Sequence, residues 1–205
     1  MLDGVARRAI DPLLHAGGRR LAALGVTPNA VTLAAFALGI VGAAFVAFGH
    51  PLAGLAVMVV SRLCDGLDGA VAKAAERATD YGGYLDIVLD YVFYGAVPLA
   101  FVINDPHANG LAGAVLLFSF YANGASFLAY AIMAEKRTMT SEARGKKSLY
   151  FSTGLAEASE TFIAFALFCL FPAHFASIAW IFAVICLYTA FSRIVLAGRA
   201  FSEPR

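Results

Sequence analysis

Charge is scarce in this chain. Lys, Arg, Asp and Glu together make up 14% of its 205 residues, against about 25% in an ordinary soluble domain. With 60% of residues hydrophobic, that shortage excludes a soluble globular protein and predicts one that lives in a membrane. Cysteine is nearly missing. Cys64, Cys169 and Cys186 are scattered through apolar sequence without metal-type spacing, which excludes a disulfide framework or a thiolate metal site and leaves reduced packing residues. His15, His50, His107 and His174 show no pairing and are assigned no chemistry. The N-terminus lacks the long apolar run and small-residue cleavage site of a secretory signal. No internal repeat or low-complexity segment stands out, and the length suits one domain spanning 1–205. The net charge of +1 says little; its distribution says more.

What is present is a series of apolar stretches near the ~20 residues that cross a bilayer. They cover residues 29–48, 52–72, 81–102, 111–133, 155–171 and 175–196. Thr27 and Pro28 are the N-cap and first-turn signals of the first of them. Gly49, His50 and Pro51 mark a tight turn, residues 104–109 a short loop, and residues 135–152 the longest polar stretch. The expected fold class is therefore an all-α integral membrane protein of six transmembrane helices (residues 28–200). Residues 1–27, with Arg7, Arg8, Arg19 and Arg20 beside Leu2, Val5, Ile10, Leu13 and Leu14, are expected to lie amphipathically on the membrane surface. The loops after the first, third and fifth spans carry no Lys or Arg. The other side holds the N-terminal arginines, Lys73, Arg77, Lys136, Arg137, Arg144, Lys146, Lys147, Arg199 and Arg205. By the positive-inside rule that side is cytoplasmic.

Against this background four carboxylates stand out, because a charge at membrane depth is costly and marks function by default. Asp65 and Asp68 are spaced to share one helix face, and Asp86 and Asp90 another. At ~1.5 Å per residue, Asp86 lies roughly 8 Å and Asp90 roughly 14 Å into the third span, at a depth like that of the first pair. Two antiparallel helices would then aim four carboxylates at one spot open to the cytosol. Such a cluster repels itself unless cations sit between its members. Oxygen-only donors suit Mg²⁺ or Mn²⁺, and the absence of His and Cys ligands argues against zinc. The competing reading is a structural ion-pair network.

The stretch also resembles the signature of the CDP-alcohol phosphotransferase (CDP-alcohol phosphatidyltransferase) family, D-x-x-D-G-x-x-A-R-x8-G-x-x-x-D-x-x-x-D. Asp65, Asp68, Gly69, Ala72, Gly82, Asp86 and Asp90 match it position for position, and Lys73 stands where the signature has Arg. The Lys keeps the charge and loses the guanidinium fork. The resemblance implies a six-helix body and two divalent cations held by Asp65, Asp68 and Asp86, with Asp90 as a ligand that also serves as general base. It implies substrate contacts from Asp68, Gly69, Ala72, Lys73 and Gly82, the small residues admitting the nucleotide close to the backbone. It also implies a homodimer.

The function expected is transfer of a phosphatidyl-type group from a CDP-linked lipid, CDP-diacylglycerol, to the hydroxyl of a small polar alcohol, releasing CMP, in phospholipid biosynthesis. The setting would be a bacterial cytoplasmic membrane, with lipid as the surrounding partner and no nucleic acid. Two alternatives stay open. One is the same chemistry with a soluble CDP-alcohol donor and a diacylglycerol acceptor. The other, of a different class, is a cation transporter using intramembrane aspartates. Lys136, Arg137, Arg144, Lys146 and Lys147 would hold an acceptor phosphate or meet anionic lipid. Glu157 and Glu160 either answer a helix dipole or bind the acceptor. Arg193 either meets a phosphate or snorkels. Gly66 is expected to serve helix packing.

Overall fold

A computed structural model describes residues 3–137, 156 and 158–202. Every regular element among them is helical, and no strand occurs among the described residues. In chain order the helices are α1 (Asp3–Ala23), α2 (Pro28–Ala47), α3 (Pro51–Ala74), α4 (Asp80–Asn104), α5 (Pro106–Lys136), α6 (Ala158–Leu170) and α7 (Phe175–Phe201), with a 3₁₀ turn at Pro172–His174 before α7. Residues 138–155 and 157 lie outside the described part, and with them the expectations for Arg144, Lys146, Lys147 and Glu157, as does Arg205.

The helix starts follow local chemistry. Thr27 caps α2, its hydroxyl accepting from the Ala30 amide at 3.3 Å, with Pro28 in the first turn. Thr79 caps α4 through the Gly82 amide at 3.0 Å. Asp105 caps α5 through the Ala108 amide at 3.0 Å, and Pro106 follows it. This last cap corrects the expected loop at 104–109: Asp105 alone separates α4 from α5. The Asp-Pro pair reads as a turn by composition, yet Asp supplies the cap and Pro the pre-set φ of a first helical residue. The break between α3 and α4 falls at residues 75–79, where Glu76 takes a positive φ of 51°. Gly82 and Gly83 therefore lie in the first turn of α4.

Packing relies on small residues, as expected where lipid offers no hydrophobic drive between helices. α2 lies against α3 so closely that a Cβ on Gly54 would stand 2.6 Å from the Gly42 carbonyl oxygen. α1 lies against α3, and a Cβ on Gly18 would meet the Ala70 backbone at 2.7 Å. A Cβ on Gly66 would reach the Leu14 side chain at 3.2 Å, in keeping with a packing role there.

Away from the α3–α4 turn, the bundle closes on aromatic rings. Phe101 stacks on Phe175 with centroids 4.6 Å apart, and Phe168 meets Phe175 edge-on at 4.9 Å. Phe93, Phe165, Phe168 and Phe175 are fully buried. Outward, large apolar residues such as Leu52, Leu111, Phe118, Tyr121 and Phe191 are exposed, the pattern of a surface solvated by lipid. Among the described residues, α2, α4, α5 and α7 are long and apolar enough to cross a membrane. α3 has the length, at 24 residues, but carries Arg62, Asp65, Asp68 and Lys73. The described part of α6 has only 13 residues.

Candidate active site

α3 and α4 diverge from the turn at residues 75–79, and their carboxylates come together near that end of the bundle. One oxygen from each of Asp65, Asp68 and Asp86 lies within 4.8 Å of the others. All three residues are half-buried, so the cluster lines an opening rather than a sealed core. Three carboxylates this close offer only hard oxygen donors, and a divalent cation of the Mg²⁺ or Mn²⁺ type fits that set.

Asp68 is the most firmly held of the three. Its Oδ2 accepts from the Thr32 hydroxyl at 2.6 Å and its Oδ1 from the Gly69 amide at 2.5 Å. These bonds fix the carboxylate's rotation and leave its charge to face the cluster. Thr32 was not foreseen. Its position depends on how α2 rotates against α3, which no local pattern in the sequence records.

Asp90 takes a different partner. Arg62 donates from Nη1 to Asp90 Oδ1 at 2.7 Å and to Asp65 Oδ2 at 3.3 Å. The guanidinium lies over the Phe93 ring, 4.3 Å from its centroid, and Nη2 reaches Ser61 Oγ at 3.3 Å. Ser61 is itself buried and donates to the Ala35 carbonyl at 2.7 Å. Arg62 is absent from the sequence expectations, although a signal existed: it is a cation inside an apolar run, three residues before Asp65 and so on the same face.

The remaining expected contacts divide. A Cβ on Gly69 would meet nothing within 4 Å, so open space adjoins Asp68. Gly82 differs, because a Cβ there would stand 3.1 Å from Asn29 Oδ1 and 3.2 Å from Thr79 Oγ1. Ala72 is half-buried and Lys73 exposed in the last turn of α3, where a cation faces the carbonyl end of the helix. Tyr81 and Tyr84 are exposed near the same end, and Tyr91 packs its ring against Gly124 of α5.

A second polar group joins α5 to α7. Arg193 Nη1 donates to the Asn123 carbonyl at 3.0 Å, to Asn123 Oδ1 at 2.9 Å and to Ser126 Oγ at 2.7 Å. Arg193 is thus held inside the bundle. Arg137, expected to serve acceptor or lipid, donates to the Ala200 and Phe201 carbonyls at 3.3 and 2.8 Å. It caps the end of α7. Glu160, in the first turn of α6, buries Oε2 without a hydrogen-bond partner among the described residues.

The model of the CDP-alcohol phosphatidyltransferase family matches residues 25–191. The chain is 47% identical to the inner membrane protein YnjF of Escherichia coli over 194 residues, covering 95% of this chain and 94% of that one. Its fold is shared with the phosphatidylinositol phosphate synthase of Mycobacterium tuberculosis. The form with CDP-DAG bound superposes with a TM-score of 0.72 at 21% identity, covering 91% of this chain and 94% of that chain. The form in complex with manganese and citrate gives 0.72 at 22% identity, covering 89% and 87%.

Proposed function

The chain belongs to the CDP-alcohol phosphatidyltransferase family, and from that premise we propose that it moves a phosphatidyl-type group from CDP-diacylglycerol to the hydroxyl of a small polar alcohol, releasing CMP. The observation that carries this reading is the meeting of Asp65, Asp68 and Asp86 within 4.8 Å, contributed by two successive helices, beside open space at Gly69. A CDP-linked lipid suits such a place, since its tails can stay in the bilayer while its pyrophosphate reaches the carboxylates. That the M. tuberculosis structural neighbour holds CDP-DAG supports the choice of donor.

Asp65, Asp68 and Asp86, with Asp90 completing the set, would hold two divalent cations. Bound there, the cations would supply charge neutralisation at the donor phosphates and at the departing CMP. The chain's own residues do the rest. Thr32 and the Gly69 amide fix Asp68. Gly69 and Ala72 would leave room for the nucleotide, and Lys73, exposed in the last turn of α3, would meet its phosphates. Asp90 takes the acceptor's proton. Arg62 bonds Asp90 through Oδ1, so Oδ2 is the oxygen that receives it. The acceptor oxygen then attacks phosphorus as the bond to CMP breaks.

The protein is an integral membrane protein, which we place in a bacterial cytoplasmic membrane as a six-span homodimer with the site facing the cytosol. In that arrangement α3 and α6 complete the six, their polar or short character being tolerated by neighbouring helices, and α1 rests at the membrane surface.

The test is CMP release by the purified protein. CDP-diacylglycerol with serine, glycerol 3-phosphate or an inositol phosphate should give CMP only when Mg²⁺ or Mn²⁺ is present. CMP from CDP-choline and diacylglycerol, with none from CDP-diacylglycerol, would reverse the assignment of donor and acceptor. Metal-independent release would sink it.

A further inference from the structure

The four carboxylates are not treated alike. Three of them gather oxygen atoms within 4.8 Å, while the fourth, Asp90, is joined at 2.7 Å to a guanidinium. That guanidinium is anchored from several directions: by the Phe93 ring beneath it, by Ser61 beside it and by Asp65 at the longer distance of 3.3 Å. Phe93 is itself fixed, fully buried with Phe165 edge-on at 6.0 Å and Tyr94 at 5.8 Å. On α4, Asp90 and Phe93 are one turn apart, so one helix supplies both the anion and the platform. Arg62 leaves its Nε buried without a hydrogen-bond partner among the described residues. An orphan donor is unfavourable, so the side chain is held by its terminal nitrogens at the expense of the inner one. Arginine also cannot give up its charge.

We propose that Arg62 is a positioning residue, the built-in counter-cation of Asp90, which fixes that carboxylate for proton acceptance and makes a second divalent ion bind much more weakly than the first. The inference rests on the reading that these carboxylates hold divalent ions. An ion shared by Asp65 and Asp90 must take the ground that Arg62 Nη1 occupies between them, so it binds only by breaking a charge-assisted bond. An ion shared by Asp65, Asp68 and Asp86 breaks only the longer contact to Asp65. With one such ion and Arg62 in place, three of the four carboxylate charges are met by the protein and a single metal.

The experiment is a Mn²⁺ titration of the purified full chain in detergent, followed by the electron paramagnetic resonance signal of free Mn²⁺, with donor turnover measured alongside. The unsubstituted protein should bind one ion tightly and a second at least about tenfold more weakly. Arg62→Met should bring the two affinities within about threefold of each other, and should lower turnover at saturating Mn²⁺ while donor KM stays nearly constant. Arg62→Lys keeps a charge but not a fork that spans Asp90, Asp65 and Ser61, so it should narrow the gap and recover part of the turnover. An Arg62 that merely stabilises the fold would lower the melting temperature of Arg62→Met and leave the gap as it was, which would overturn the proposal. If Arg62→Met does not run as a single species on size exclusion, Arg62→Lys decides: an unchanged gap rejects the idea. Asp68→Asn is the separate check on the underlying reading. Tight Mn²⁺ binding by that variant would remove the metal site itself, whatever Arg62 does.

Discussion

The two ends of the bundle are built on opposite terms. Near the α3–α4 turn, half-buried carboxylates converge, and directed bonds hold some of them: Thr32 to Asp68, Arg62 to Asp90. At the far end, Phe101, Phe168 and Phe175 are buried and fixed by ring contacts with one another. The aromatic end can be rigid because nothing there must exchange with solvent. The polar end, which under the proposed activity admits nucleotide and releases CMP, gives up close packing and relies on directed bonds. Phe93 is where the two regimes touch, its ring shared between the aromatic cluster and the Arg62 guanidinium. A division of this kind predicts that substitutions at one end should abolish chemistry and leave the fold, while those at the other should weaken the fold and leave the chemistry.

The largest effect is expected at the carboxylates proposed as ligands. Asp65→Asn, Asp68→Asn and Asp86→Asn should each reduce CMP formation to background, because each removes a charged oxygen from a hard-metal site; circular dichroism and size exclusion should remain normal. Full turnover by any one at ordinary metal concentration would break the comparison at its polar end. Asp90→Asn comes next, with turnover down by about 10²–10⁴-fold as befits loss of a general base, yet with CDP-donor binding by calorimetry largely kept. Binding lost as completely as in Asp68→Asn would recast Asp90 as chiefly a ligand. At the aromatic end, Phe175→Ala should cost about 3–5 kcal/mol of stability, read as a fall in thermal midpoint, with turnover per folded molecule little changed. The smallest effect is expected at Lys73. Lys73→Arg should be mild, and Lys73→Ala should raise donor KM by no more than about fivefold, as suits an exposed charge. No change in KM or turnover would leave Lys73 as an anchor only.

The polar end was the more legible in sequence, and for a physical reason. Helical spacing alone puts Asp65 with Asp68 and Asp86 with Asp90, and carboxylates in apolar sequence announce themselves. Thr27-Pro28 could be read because a cap and its first turn are local. The same chemistry at Asp105-Pro106 reads as a loop in sequence, since Asn104, His107 and Asn109 around it have turn composition. A Cβ on Gly82 would meet Asn29 and Thr79, neighbours that the local sequence around Gly82 reveals only in part. Thr32 and Ser61 acquire their roles only from the rotation of α2 against α3 and α4, which periodicity does not specify when nearly every face is apolar. The pairing of Phe101 with Phe175, 74 positions away in the chain, is equally invisible until the helices are packed. Arg62 lies between these cases, local to Asp65 but tied to Asp90 only through the fold.

The close approach of α2 and α3 at Gly42 and Gly54 bears on how such a chain can change. A methyl group at Gly54 would have to push a carbonyl oxygen, not a side chain that can swing aside, so there is no small step away from glycine at this position. Leu52, two residues earlier and exposed, should tolerate exchange for another apolar residue far better. The mutational landscape of this helix pair is thus a cliff beside a plain. A designer or a lineage seeking a new acceptor would have to work around that contact, because the helix bearing Asp65 and Asp68 cannot be re-seated one residue at a time.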